Sequence, residues 1–253
     1  MGLQAAREVA VRSRADGGRD VAEAISGLDW PALEAGLNTH GYALTGPLLG
    51  DDDCRALREA YEGEARFRSH IVMARHGFGQ GEYKYFSYPL PPVVAALRKA
   101  VYPRLVPIAN RWAEALGVET RYPKTLKAML DSCHGAGQTR PTPLLLKYGP
   151  GDYNCLHQDL YGPLAFPLQL AVLLSAPGKD FEGGEFVLTE QRPRMQSRAE
   201  VVPLARGHGV VFATSHRPKQ GTRGFYRVTL RHGVSRIRAG RRFTLGVIFH
   251  DAA

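Results

Sequence analysis

The triplet His157-Gln158-Asp159 places an imidazole and a carboxylate on either side of one residue. In extended chain alternate side chains share a face, so His157 and Asp159 point together and Gln158 points away. One imidazole and one carboxylate are two of the three ligands of a facial triad, which leaves metal positions open for an oxidant and a substrate. An H-x-D triplet alone is a weak signal and needs a second histidine brought close by the fold. Four compete downstream: His208, His216, His232 and His250. His40, His70, His76 and His134 have no partner at metal-ligand spacing. The three cysteines, Cys54, Cys133 and Cys155, are widely spaced without a C-x-x-C, which argues against a disulfide framework and a structural zinc site. Cys155 is read as a core residue, and the compartment as the reducing cytoplasm.

From His232 the chain runs His-Gly-Val-Ser-Arg-Ile-Arg-Ala-Gly-Arg-Arg to Arg242, then enters the apolar stretch Phe243–Phe249. The spacing H-x-V-x-x-I-x-x-G-x-R resembles the iron(II)/2-oxoglutarate dioxygenases of the prolyl-hydroxylase-like branch. Their other elements occur in the same order: H-x-D at His157 and Asp159, E-G-G-E at Glu182–Glu185, and a glycine-led strand from Gly207 to Phe212. The resemblance covers roughly residues 144–251. It implies a double-stranded β-helix with His157, Asp159 and His232 as iron ligands. The stretch Thr214–Leu230 is longer than the usual link to the distal histidine, which keeps His216 as a second candidate.

The resemblance further implies 2-oxoglutarate as cosubstrate and dioxygen as oxidant. A guanidinium suits the far carboxylate because its planar fork pairs bidentately. Arg242 matches the family's anchoring arginine. Thr244, two residues on, shares its strand face, whereas Arg241 points the other way and reads as a surface charge. Tyr148 resembles a tyrosine that donates to the cosubstrate in relatives.

Something must position these residues. The chain has 253 residues, 44% hydrophobic and 23% charged, which suits a globular protein with no apolar run long enough to span a membrane. Residues 1–20 are expected to be a flexible tail, and 21–253 one dioxygenase domain: 21–140 mainly helical support, 141–253 the jelly-roll core. Asp29 is expected to cap a helix through Leu37, and Asp51–Asp53 to cap a second. Residues 91–117 should form two helical stretches broken near Pro103 and Pro107, and Pro123 should open a further helix ending before Gly135. After Pro141, short β-branched runs separated by Gly- and Pro-rich turns predict an antiparallel barrel. The fold class is therefore α+β and mainly β, a jelly roll braced by N-terminal helices.

Charge bears on the substrate. Between Gln191 and Arg242 thirteen Lys/Arg face one acid, Glu200, giving +12; the remaining 20 basic and 23 acidic residues carry −3. One-sided charge suggests an anionic macromolecular partner. The segment leads into both His232 and Arg242, so it is expected to flank the barrel mouth with Arg217, Lys219, Arg223, Arg227 and Arg236 exposed to grip phosphates. The glycine-rich, aromatic stretch Arg75–Phe86 is read as a lid offering Tyr83 and Tyr85 for stacking, the alternative being a hairpin that feeds them into the core. With Gly41–Leu44 it is similar to a bacterial subgroup of these oxygenases suggested to act on damaged DNA. Three substrate readings stand: an oxygenase on nucleic acid, slightly favoured; an oxygenase on a peptide; and a jelly-roll module that binds without catalysis.

Overall fold

The structure, a computed structural model, describes residues 20–63, 66–160 and 162–253. Of the expected tail only Asp20 falls within them, and its side chain caps the first helix by accepting from the Ala22 N–H. The helices are α1 (Val21–Ser26), α2 (Trp30–His40), α3 (Asp51–Ala60), α4 (Pro92–Ala115) and α5 (Leu126–Gly135). The strands of the first half are β1 (Tyr42–Pro47), β2 (Phe67–Val72), β3 (Gly79–Gln80) and β4 (Glu82–Phe86). There follow β5 (Leu144–Tyr148), β6 (Tyr153–His157), β7 (Leu168–Leu173), β8 (Phe181–Gly183), β9 (Phe186–Gln191) and β10 (Arg198–Val202). The last are β11 (His208–Ala213), β12 (His216–Gly221), β13 (Gly224–Val234), β14 (Ile237–Gly240) and β15 (Arg242–Val247).

Two antiparallel sheets form the jelly roll. The larger has the order β1-β11-β7-β15-β5-β4-β2; the smaller runs β10-β9-β13-β6-β3, with β12 folded onto β13. A third sheet pairs β14 with β8. Side-chain parity divides the large sheet. Leu145, Leu168, Leu170, Val172, Val211, Phe243, Leu245 and Val247 join the helices in the main apolar core. The alternate residues, among them Gln169, Arg242 and Thr244, face the smaller sheet and line the cavity described below.

Several expectations are corrected. Residues 21–140 are not helical support alone: β1, β2 and β4 extend the large sheet at both edges. Helix α4 is continuous through Pro103 and Pro107. Both prolines lie on its exposed side, four residues apart, where the freed carbonyls are open to solvent, while eleven residues of the helix are buried. That burial outweighs about 3 kcal/mol per proline. The cap of α3 is Gly50 and not the aspartates, which occupy the first turn, where carboxylates favour the positive end of the helix dipole. Helix α5 begins at Leu126 under a Thr125 cap, not at Pro123, and includes Gly135. The long stretch before His232 is the β12–β13 hairpin.

Arg75–Phe86 is pinned between the two sheets, with β3 paired to β6 and β4 paired to β2 and β5. Gly79 pairs with Asn154 of β6 in so close an approach that a Cβ on it would lie 2.4 Å from the Tyr153 carbonyl oxygen. The Cys155 N–H donates to the Phe78 carbonyl at 2.9 Å. Lys84, Tyr85 and Phe86 are buried.

Candidate metal and cosubstrate site

His157 closes β6 and stands directly across from His232 of β13 in the ladder. Asp159 lies two residues beyond the strand end. This brings one nitrogen of each imidazole and an oxygen of the carboxylate within 4.8 Å of one another. His157 Nε2 is 3.3 Å from Asp159 Oδ1, and His232 Nε2 is 3.2 Å from Asp159 Oδ2. Among the described residues no other group of three metal-ligating side chains converges in this way. His216 is not part of it; its Nδ1 faces Ser215 Oγ at 3.1 Å.

Two imidazoles and one carboxylate suit an iron(II) site that keeps open positions. Local contacts aim them. His157 Nδ1 donates to the Cys155 carbonyl at 2.8 Å, which holds the ring so that Nε2 points toward Asp159. His232 is buried with Phe212 packed edge-on at 4.7 Å and Phe186 at 6.0 Å. Burial works against ionisation of Asp159, but the charge of His232 and hydrogen bonds from both imidazoles outweigh it and hold its carboxyl well below the usual range. Burial, helped by the charge of His157, lowers the pKa of His232. In His157 burial is outweighed by the bond and charge of Asp159, which raise its pKa. A divalent metal would displace the protons from both imidazoles and keep the ionised Asp159 as its anionic ligand.

A cavity of about 340 Å3 opens from this cluster, with the large sheet as its far wall. Arg242 and Tyr148 are register partners across β15 and β5, and both are fully buried. Arg242 Nη1 donates to Thr244 Oγ1 at 2.6 Å, and its guanidinium lies 5.7 Å from the Tyr148 ring. Its Nε is buried without a partner, and among the described residues no carboxylate comes within ion-pair distance of it. Burial lowers its pKa to about 10, so it stays charged at neutral pH. An unmatched buried cation facing a cavity is a site for an anionic group. In the E-G-G-E turn, Gly184 has φ +63, and a Cβ there would meet Ile237 Cδ1 at 2.2 Å and Arg242 Cδ at 3.0 Å. The glycine lets the turn close over the arginine stem.

Other sequence-assigned residues are placed differently. Tyr83 lines the cavity, its ring 5.4 Å from that of Tyr85 and nearly perpendicular. Tyr85 is packed behind it against Leu144 and Ile248, with Arg68 over its ring at 4.5 Å, so it is a core residue and not a stacking surface. Phe78 is the exposed ring at the cavity mouth, beside exposed Leu156, and it stacks on His76 at 5.3 Å. Cys155 is exposed at the cavity rim, contrary to its reading as core. Arg217 is fully buried; it ion-pairs with Glu190 and donates to the Asn38 and Thr39 carbonyls at the end of α2. Arg223 and Arg227 are exposed on the β12–β13 hairpin. Arg227 precedes His232 by five residues, about 17 Å of strand, and faces the opposite side by parity. By the same parity Arg231 also faces away from the cavity, whereas Arg242 of the same basic segment lines it.

Sequence reasoning passed over Gln169 and Asn154. Gln169 is the one polar residue in the wholly buried β7, and that break in an apolar run was the available signal. Asn154 Nδ2 donates to the Tyr148 hydroxyl at 3.4 Å from the cavity wall.

A protein-family model described as an oxygenase catalysing oxidative methylation of damaged DNA matches residues 81–252. An uncharacterized protein of Mycobacterium tuberculosis is 54% identical over 168 residues, spanning 66% of this chain and 72% of the relative. The fold is similar to that of a Pseudomonas putida prolyl-4-hydroxylase, with TM-score 0.51 at 17% identity over 86% of this chain and 96% of that one. It is similar also to an oxidoreductase of the 2OG-Fe(II) oxygenase family from Burkholderia pseudomallei, with TM-score 0.52 at 13% identity over 88% and 92%. The chain belongs to this oxygenase family, and on a jelly-roll fold it carries a two-imidazole, one-carboxylate cluster of the kind that suits iron(II).

Proposed function

We propose that the enzyme oxidises an alkylated base in nucleic acid, with His157, Asp159 and His232 holding iron(II) and Arg242, Thr244 and Tyr148 holding 2-oxoglutarate. The observation that carries the site assignment is the meeting, in one cavity, of a two-imidazole, one-carboxylate cluster with a buried cation that, among the described residues, has no carboxylate at ion-pair distance. With dioxygen, the bound metal and cosubstrate supply the oxidising equivalent that replaces a substrate C–H by C–OH, while 2-oxoglutarate leaves as succinate and carbon dioxide. The protein's own residues do the placing. Arg242 pairs with the far carboxylate of the cosubstrate, Thr244 orients the guanidinium, and the Tyr148 hydroxyl donates from the side. The apolar walls from Leu146, Phe186 and Phe212 keep water away. A hydroxyl placed on an N-methyl carbon gives a hemiaminal that loses formaldehyde.

Two features favour nucleic acid over peptide. The matched family is described by action on damaged DNA. The outer face and edges of the smaller sheet expose Arg198, Arg223, Arg227, Arg231 and Arg236, a surface for phosphates reached from the side of the fold. Free Cys54, Cys133 and Cys155 suit a reducing, cytoplasmic setting; among the described residues no helix is long and apolar enough to cross a membrane. The test supplies iron(II), 2-oxoglutarate and either N-methylated single-stranded oligonucleotides or proline-containing peptides. Succinate and formaldehyde should appear together with the oligonucleotide, and binding should weaken log-linearly with salt by a slope of roughly 0.7 per phosphate contact. Arg227→Glu should flatten that slope without changing 2-oxoglutarate affinity. Succinate release driven by the peptide alone would move the enzyme to the peptidyl hydroxylases.

A further inference from the structure

Gln169 is 5% exposed on the cavity-facing side of β7. Its Nε2–H donates to Asp159 Oδ2 at 2.7 Å and lies 3.4 Å from His232 Nε2. Its Oε1 is buried and has no partner. The flanking residues of β7 are apolar and buried, so an aliphatic side chain of the same volume would avoid the cost of an orphaned amide oxygen. Stability therefore does not account for an amide at this place. Its contacts do. His157 and His232 belong to the smaller sheet, Asp159 follows it on a loop, and Gln169 reaches across from the large sheet to the carboxylate. Because a carboxylate only accepts, the donating Nε2 must face it, which fixes the orientation of the amide.

We propose that Gln169 is a positioning residue for the metal: by occupying Oδ2 it turns Asp159 so that Oδ1, the oxygen beside His157, is the one presented to the ion. Without it, the loop carboxylate is free to rotate and to offer both oxygens. The inference rests on the reading of His157, Asp159 and His232 as the metal ligands.

The test titrates the metal-free protein with cobalt(II), whose visible absorption responds to coordination number. Wild type, Gln169→Met and Gln169→Asn are compared, with thermal unfolding of each metal-free protein. Gln169→Met keeps the volume and removes the donor. Cobalt(II) affinity should fall roughly 10- to 100-fold, as for loss of other contacts behind a metal ligand. The absorption band should change shape, the metal-free Tm should hold or rise, and 2-oxoglutarate affinity at saturating cobalt(II) should be unchanged. Gln169→Asn, with an amide one methylene short, should weaken the metal as well, and it carries the test if the methionine variant does not fold. Affinity and band shape equal to wild type in both variants overturn the proposal. So does a loss of affinity matched by a lower metal-free Tm or by an equal loss of 2-oxoglutarate binding, which marks a collapsed cavity. A wild type that binds no cobalt(II) overturns the ligand assignment and this inference with it.

Discussion

The two walls of the cavity handle charge in opposite ways. On the side of the smaller sheet, Asp159 is buried between two imidazoles and held by Gln169, so each charge there has a partner within about one hydrogen bond. On the large sheet, Arg242 is equally buried, with a hydroxyl and two aromatic rings beside its guanidinium and, among the described residues, no carboxylate at ion-pair distance. The first wall is balanced before any ligand arrives, with ligand atoms already close. The second carries an unmatched charge, a standing cost that a ligand carboxylate would relieve. The comparison shows how one barrel divides the work, with geometry built in on one wall and driving force reserved on the other.

The strongest way to break this comparison is to remove the balanced wall. His157→Ala or Asp159→Ala should abolish iron binding, read as metal content, and succinate release, read as turnover, with the fold retained. His216→Ala should leave both near wild type, since His216 is turned to Ser215. Loss of turnover in His216→Ala with turnover kept in His232→Ala would reassign the distal ligand.

Arg242 sharpens the other half. Arg242→Met should raise the KM for 2-oxoglutarate by an amount corresponding to on the order of 2–5 kcal/mol, because the carboxylate is left buried and unpaired. The same change should hold or raise the Tm of the ligand-free protein, because an uncompensated buried charge goes with it. Arg241→Ala, on the exposed side of the turn, should alter neither. Equal kinetic effects of the two would refute the parity that separates them.

The smallest expected effect lies outside the cavity, where burial, aided by the charge of Arg98, sets a titration. His250 is fully buried and accepts from the Phe166 N–H, and burial lowers its pKa from 6.5 to about 4. The unfolded chain takes up this proton first, so stability present above pH 6.5 should be lost as the pH falls toward 4. The slope is about 1.4 kcal/mol per pH unit for one proton. Denaturant unfolding of His250→Gln across that window should be flatter by about one proton; an unchanged slope would exclude His250 as the source.

Sequence alone determined what depends on residue type and short spacing. The H-x-D pair, the H-x-V-x-x-I-x-x-G-x-R run, the E-G-G-E turn and the parity of Arg242 with Thr244 are local patterns, legible because a strand alternates its faces every residue. The helix starting after Asp29 was legible for the same reason, its cap being one side chain away from the N–H it serves. Tertiary structure decided what depends on burial and on long-range pairing. Pro103 and Pro107 read as breaks, yet α4 runs through them, because a buried face of eleven residues offsets a cost that sequence shows only locally. The first-half strands β2 and β4 owe their places to pairing with each other and with β5 in the large sheet. The basic segment looked like a rim around the mouth, but the strand that carries it turns His232 inward and Arg227 and Arg231 outward, and Arg217 is consumed by Glu190. Gln169 meets Asp159 only because two sheets close face to face. That contact is set by packing across the barrel, which no spacing along one strand encodes.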